Sequence, residues 1–411
     1  MSHTPYFLEK SKEKYLVINF ISFPSEFGSS LYQHSALLRR GGHRETYYVP
    51  LFVDSVFTHT CIDDSLIYKR IWSGLESQMK GVHTIFITSS TDFNDLGIEY
   101  VKDNYNKYIH EKYDIYRISS LRELSKSKQN PMKMEAVLYG GLNYDYKQKN
   151  VNNSYVKKGL CEHIIIPNVF RNKYKTRGGF DFLNNTLEEV EIINRELNSN
   201  GIRSKLFTAT KGTEESFKAL NGKNIGILHI STHGMYIPNE DVYEQKQCNN
   251  LSFLVESNMN IMELPEEDDI LSRSFLVMSK GNMLIYRDSI AQGIEDGILT
   301  ATEISKMDLS NVDLVVLSAC QTALGEINND GVYGLQRGFK KAGVNTILMS
   351  TDNVDDEATK ILMVEFYKNL MGGKSKLQSL KDAQRYLRQF EGGKYDEPKY
   401  WASFIMLDGL D

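Results

Sequence analysis

The 411-residue chain has little of what usually announces a function. It holds four cysteines, Cys61, Cys161, Cys248 and Cys320, and no two of them form a C-x-x-C pair. That scatter argues against a structural zinc site and against a disulfide framework, and favours a reducing compartment. No run of 18 apolar residues occurs, and the opening "MSHTPYFLEKSKEKYL" lacks the apolar core of a secretory signal. A cytoplasmic protein that neither spans nor binds a membrane is expected. The formal charge is only −5, from 48 basic and 53 acidic side chains. It makes no electrostatic case for direct contact with nucleic acid or an anionic membrane. There is no repeat of fixed period and no low-complexity tract. What is there, 41% hydrophobic and 25% charged residues, suits a soluble globular protein of one large or two to three ordinary domains.

Periodicity supplies the architecture. In the first third, "KYLVINFIS" (14–22), "LYQHSALLRR", "TYYVPLFV", "VHTIFITSS" (82–90), "YDIYRIS" and "MEAVLYGG" (134–141) read as strands. Residues 65–81 and "SLRELSKS" read as helices between them. Residues 142–180 are rich in Asn, Lys, Tyr and Gly and read as an exposed linker. The second half is more regular. A helix is expected over 183–201, with a Thr186–Glu189 capping box and a stop at Gly201. "NIGILHIST" (224–232) and "VDLVVLSA" (312–319) are near-continuous apolar runs, as in strands buried on both faces. Residues 237–270 read as an acidic surface insertion, "SFLVMSKG" with "MLIYRD" as a hairpin, "GVYGLQRGFKKAG" as a helix and "YWASFIMLD" (400–408) as a closing strand. Strands alternating with helices define an α/β fold with a mainly parallel sheet.

His229 and His233 stand four apart in "GILHISTHGMY". On a helix that spacing brings two ligands together, but this stretch reads as a strand, where the two lie about 13 Å apart. A single metal ion needs both near 2 Å, and the Glu of an HExxH motif is missing. No metal or cofactor is expected. His229, inside the apolar run, reads as a core residue. His233 falls at the strand's carboxyl end, where parallel sheets bind ligands. A histidine there suits general acid–base work, and Gly234 beside it leaves a backbone N–H for an oxyanion. Cys320 ends the other apolar strand in the same way, the placement expected of a thiolate nucleophile. A cysteine phosphatase is ruled out, because Glu326 stands where its loop needs Arg.

These residues carry a family resemblance. "LHISTHGMY", "GILTATEISKMDLSNVDLVVLSACQTALGE", "GVYGLQRGFKKAGVNTILMS", "VDDEATKILMVEFYKNL" and "YWASFIML" closely resemble the CHAT domain, the caspase-like protease domain often found after tetratricopeptide repeats and related to separase. The resemblance implies a three-layer caspase-like α/β sandwich in tandem halves. Residues 1–150 would be a degenerate N-terminal half, 151–182 an exposed linker and 183–411 the active half. It implies a cysteine endopeptidase with a His233–Cys320 dyad and an oxyanion hole made by the Gly234 and Cys320 N–H groups.

The same resemblance assigns substrate contacts to the loop "STDNVDD" (350–356), with Ser350, Thr351 and Asp352, and to Ser318. Many family members carry an aromatic residue where Asp352 stands. A carboxylate there can pair with a substrate Arg or Lys, or can be a solvated loop aspartate. If basic residues are preferred, the linker with Lys157, Lys158, Arg171, Lys173, Lys175 and Arg177 becomes a candidate for self-cleavage, beside the simpler reading of a solvated basic loop. The partners implied are a protein substrate, such as a gasdermin-like pore former, and a regulatory protein or RNA-guided effector complex, in a bacterial antiviral defence or cell-death system. A catalytically inactive caspase-like interaction module is the alternative.

Overall fold

The computed structural model describes residues 15–24, 32–41, 45–54, 64–89, 97–125, 133–145, 174–237, 267–286, 295–319, 325–328 and 331–410. Their strands are β1 (Tyr15–Pro24), β2 (Tyr32–Arg40), β3 (Tyr47–Asp54), β4 (Thr84–Ser89), β5 (Asp114–Arg117), β6 (Glu135–Leu142), β7 (Arg203–Ala209) and β8 (Ile227–Ser231). Then follow β9 (Gly234–Tyr236), β10 (Ser274–Val277), β11 (Ile298–Thr300), β12 (Leu314–Ser318), β13 (Gly325–Asn328), β14 (Gly331–Gly334), β15 (Thr346–Ser350) and β16 (Phe404–Leu407). Eleven of them form one sheet in the order β3-β2-β1-β4-β5-β16-β15-β12-β8-β6-β7. The pairings are parallel except β3–β2, β2–β1 and β16–β15. The expected α/β class with a mainly parallel sheet is the one observed.

Burial explains why the central strands read as unbroken apolar runs. All five side chains of β8 and all five of β12 are buried, because helices cover both faces. On one face lie α1 (Asn184–Ser199) and α5 (Asp356–Met371), with α6 (Lys376–Gln389) beside α5. On the other lie α2 (Glu214–Lys218), α3 (Ala301–Ser305) and α4 (Leu335–Lys341). Phe217 of α2 meets Tyr139 of β6 and Phe339 of α4, with ring centroids 5.8 and 6.5 Å apart. α3 starts on a capping box between Thr300 and Glu303. α4 packs so closely on it that a Cβ at Gly338 would stand 2.6 Å from the Ala301 carbonyl oxygen. Among the described residues no helix is long and apolar enough to cross a membrane.

Several local readings change. Thr186 and Glu189 do not cap α1. Its N-cap is Leu183, without a side-chain bond. Thr186 lies inside the first turn, where its Oγ1 donates to the Leu183 carbonyl and accepts from the Gly141 N–H. "MLIYRD" is not the second arm of a hairpin: Asn282–Tyr286 is a short helix. β10 pairs instead with the distant β9 and β11. A short apolar run fits either state, and here the Asn282 side chain decides, bonding the Phe180 N–H at 2.7 Å. Residues 331–334 form a strand before α4, and the closing strand is confined to 404–407, after a helical turn at Pro398–Trp401. The span 65–81 is helical but interrupted by π and 3₁₀ turns. Most of 142–180 and of 237–270 lies outside the described residues.

The sheet also crosses the expected domain limits. β6, inside 1–150, pairs with β7 and β8, and its Ala136–Tyr139 belong to the core of the second half. β1, β2 and β4 share a separate core around Trp72. The two cores meet where β16 lies parallel to β5. Asp408, just past β16, ties this seam. Its carboxylate accepts from the Ser119 N–H and Oγ at 2.8 and 2.6 Å and pairs with the Lys340 ammonium at 2.7 Å. Its N–H donates to the Arg117 carbonyl, and its own carbonyl accepts from Thr346 Oγ1. Arg117 is in turn held in a buried bidentate pair with Glu99, at 2.7 and 2.6 Å. Removing the Asp408 carboxylate strands a largely buried ammonium. Asp408→Ala is expected to lower stability by about 3 kcal/mol, with Asp408→Asn intermediate. Urea unfolding measures it, and a second transition in the alanine variant would show the two cores melting apart.

Candidate active site

β8 and β12 are adjacent and parallel, and their register sets Ser231 opposite Ser318. Both strands therefore end at one level on one edge of the sheet. His233 comes two residues after Ser231, and position 320 two residues after Ser318. Cys320 itself lies outside the described residues; the last one before it, Ala319, is buried and its carbonyl accepts from Ser350 Oγ.

The two histidines have separate fates. His229 is fully buried. Its Nε2 pairs with Glu189 Oε1 of α1 at 2.8 Å, and its Nδ1 meets the Tyr367 hydroxyl of α5 at 3.3 Å. Ser231 Oγ donates to the other Glu189 oxygen at 3.3 Å. Glu189 therefore has a buried polar role on the helix face that carries Val190 and Ile193. It satisfies the one ring in the strand that an apolar interior cannot satisfy.

His233 is held at the edge. Its Nε2–H donates to the Asp181 carbonyl at 2.8 Å, and Nδ1 has no hydrogen-bond partner among the described residues. The ring packs against Tyr144 and Phe180, with centroids 5.0 and 5.5 Å away. The backbone is fixed as well: the Val277 N–H donates to the His233 carbonyl at 2.9 Å, and Thr232 Oγ1 donates to the Val277 carbonyl. Burial lowers the His233 pKa; the bond to Asp181 and the carboxylates of Asp356 and Asp181 pull the other way. The Asp356 carboxyl is raised by its own burial and by Asp355 beside it. A neutral imidazole with Nε2 protonated and Nδ1 open is a general base in waiting.

The remaining expected site residues divide. Gly234 is buried and opens β9 opposite Leu276. Ser318 is buried and its Oγ has no hydrogen-bond partner among the described residues. Ser350 is buried and points its hydroxyl at the Ala319 carbonyl, so it braces the end of β12. Thr351 is bonded through N–H and Oγ1 to the Ser403 carbonyl, at 2.7 and 3.1 Å. Asp352 is exposed and accepts from the Asn353 N–H at 2.6 Å. Asp181, Tyr144, Phe180 and Asp356 surround His233 without having been singled out in the sequence. The first three flank or lie within the stretch that reads as linker, and only the aromatic residues in it hinted at packing.

One cluster has the composition of a cation site. Glu214, Glu295 and Glu303 bring carboxylate oxygens within 4.8 Å of one another. The Lys218 ammonium lies 2.7–2.8 Å from all three and supplies the positive charge itself. Burial, with Glu303 and Asp296 nearby, pushes the Glu214 carboxyl up to about 10. Glu214 also accepts from the Gly297 N–H and so anchors the segment leading into β11.

A mainly parallel α/β sheet, with His233 just past the carboxyl end of β8 and β12 beside it in register, defines the class. The chain belongs to the CHAT domain family, whose model matches residues 65–409. Among curated proteins, Tetratricopeptide repeat protein 28 of Mus musculus is 33% identical over 110 residues, which is 27% of this chain and 4% of that protein. Its Homo sapiens counterpart is 29% identical over 114 residues, 28% and 4% of the two chains. This chain therefore corresponds to a small fraction of those relatives. Solved structures similar to it include the Arg-specific cysteine proteinase gingipain R, at a TM-score of 0.43 and 9% identity over 84% of this chain and 67% of that one. The Saccharomyces cerevisiae separase–securin complex matches at 0.41 and 12%, over 83% and 17%.

The site makes a prediction for titration. A lowered His233 pKa means that the ring stays neutral on acidification until below the ordinary value near 6.5. Asp356 raises that pKa, so Asp356→Asn is expected to lower it further. Following the His233 ring resonances by NMR between pH 4 and 8 measures both; a midpoint at or above 6.5, or an upward shift in the variant, contradicts the arrangement.

Proposed function

We propose that the chain is a thiol endopeptidase in which Cys320 is the nucleophile and His233 the acid–base partner. The observation that carries this reading is the His233 side chain, held by the Asp181 carbonyl with Nδ1 open, at the strand end whose register matches that of the strand leading to Cys320. Cys320 loses its proton to His233 Nδ1, and the thiolate attacks the scissile carbonyl carbon. The Gly234 and Cys320 N–H groups stabilise the oxyanion. His233 then gives the proton to the leaving amine, and water, deprotonated by the same ring, hydrolyses the thioester.

Residues 183–411 are the active half in this reading, and 1–150 a catalytically silent half. Substrate lies extended beside Ser350, Thr351 and Asp352, with Ser318 lining the pocket for the residue at the cleaved bond. Asp352 gives that pocket a preference for Arg or Lys. The exposed stretch around Lys175 and Arg177, which ends beside His233, is a candidate for self-cleavage. The setting is cytoplasmic, under the control of a regulatory partner or effector complex, with a protein substrate such as a gasdermin-like pore former in bacterial defence or cell death.

Cys320→Ala and His233→Ala are each expected to reduce cleavage of a fluorogenic peptide library by about a thousandfold or more. The wild type is expected to favour Arg or Lys at the cleaved bond, and Asp352→Ala to lose that preference. Iodoacetamide distinguishes an active thiol from a scaffold cysteine: Cys320 is expected to alkylate well below pH 8.5, and His233→Ala to restore the ordinary thiol profile. A wild type that cleaves nothing and alkylates like a free thiol identifies an interaction module instead.

A further inference from the structure

β7 forms one edge of the eleven-stranded sheet. The Arg203 N–H bonds back to Met134, on the β6 side, at 3.1 Å. Backbone groups alternate sides along a strand, and the β6–β7 register is regular from Arg203 to Phe207. Residues 203, 205 and 207 therefore turn their N–H and C=O groups inward, and Ser204 and Leu206 turn theirs out. Outside, among the described residues, the Ser204 N–H meets only Asn198 Oδ1, at 3.4 Å.

A groove of about 620 Å³ opens along this strand on the α2 side. Val137, Phe207, Leu220 and Ile225 give it an apolar lining. Phe207 lies flat on Tyr139, with ring centroids 4.9 Å apart at 6°, and the Lys205 ammonium sits 4.5 Å above the Phe207 ring. Lys205 and Lys223 are exposed on the rim and enter no ion pair among the described residues. Arg203 is matched by Glu135, so the uncompensated charge at the groove is positive.

We propose that β7 and this groove dock an extended acidic segment of a partner protein, which adds as a further strand at the sheet edge. Each feature selects part of that description. An open edge accepts an extended backbone. Lys205 and Lys223 match carboxylates, and the wall made by Val137, Leu220 and Ile225 takes an apolar side chain on the same face of the added strand, two residues from a carboxylate. A basic segment meets repulsion, and a compact apolar ligand leaves the edge unused. The groove lies at the amino ends of β6, β7 and β8, the opposite end of the sheet from His233. A segment bound here is recognised without being presented for cleavage, so the proposal stands or falls apart from the peptidase reading.

The test uses the full chain with Cys320→Ala, to keep the probe intact, and fluorescence anisotropy. The probe is a fluorescein-labelled octapeptide, Thr-Glu-Thr-Val-Thr-Glu-Thr-Leu, which puts Glu, Val and Leu on one face of an extended strand. Saturable binding is expected, weakened about tenfold or more by Lys205→Glu with Lys223→Glu. Methylating alternate backbone nitrogens of the probe is expected to abolish binding in one of the two registers without touching the protein. No saturation at millimolar probe, equal binding of a peptide with Lys in place of Glu, or indifference to methylation in both registers overturns the proposal.

Discussion

The parallel pairing of β8 with β12 is the constraint on which the candidate site depends. A parallel pair in fixed register sends two chain segments off the sheet at one level and in one direction, however far apart they are in sequence. Ser231 opposite Ser318 does this for His233 and for the chain leading to Cys320. The pairing survives only because both strands are covered on both faces, which is why all ten of their side chains are buried. The helices are therefore a condition of the candidate site as well as of stability. Without α1 and α5 on one side and α2 to α4 on the other, neither strand could hold a central place in the sheet.

Central burial creates a difficulty at His229 that the structure resolves from two helices. Every other side chain of β8 faces α1 and α5, so His229 is driven into a dry layer where an unbonded ring would cost about 1–3 kcal/mol. Glu189 and Tyr367 occupy its two nitrogens from two different helices. That network fixes the strand against both helices two residues before Ser231 and four before His233. The same chemistry, imidazole beside oxygen, yields a structural pin at one position and an open Nδ1 at the other. What differs is the acceptor. A carboxylate and a hydroxyl close both nitrogens of His229, whereas among the described residues His233 donates one bond, to a backbone carbonyl.

Legibility in the sequence followed the range of the interactions. Strands β8 and β12 were readable because two-sided burial writes itself as continuous apolar residues. The split between His229 and His233 was readable because strand geometry alone keeps them apart. Glu189 was misread because a Thr followed three residues later by Glu satisfies the capping rule locally. Its real partner is 40 residues away on a strand. A signal existed: Glu189 stands in step with Val190 and Ile193, where a solvated glutamate has no place. Asp181 could not be found by any residue-type argument, since it contributes a carbonyl that every residue has. β16 as the seam between two cores was equally hidden, because a four-residue apolar strand says nothing about which neighbours it will take.

That seam gives the N-terminal strands a physical route to the site. β16 touches β5 on one side and β15 on the other, so it is shared by both cores. Ser403, the residue before β16, accepts both bonds from Thr351 at the start of the 350–356 loop. Asp408, the residue after it, grips Ser119 of the N-terminal half and Lys340 of α4. A displacement of β5 relative to the second core must therefore strain Asp408, shift β16 or break its pairing. A shift of β16 carries the Ser403 carbonyl with it and pulls on the loop that follows β15. No equivalent connection runs from β5 to β8, because β16, β15 and β12 lie between them. The order of the strands thus puts the 350–356 loop, and not His233, next to β16. The loop at 350–356 is within reach of β5, while His233 is held by the Asp181 carbonyl and by Tyr144, on the β6 side of β8.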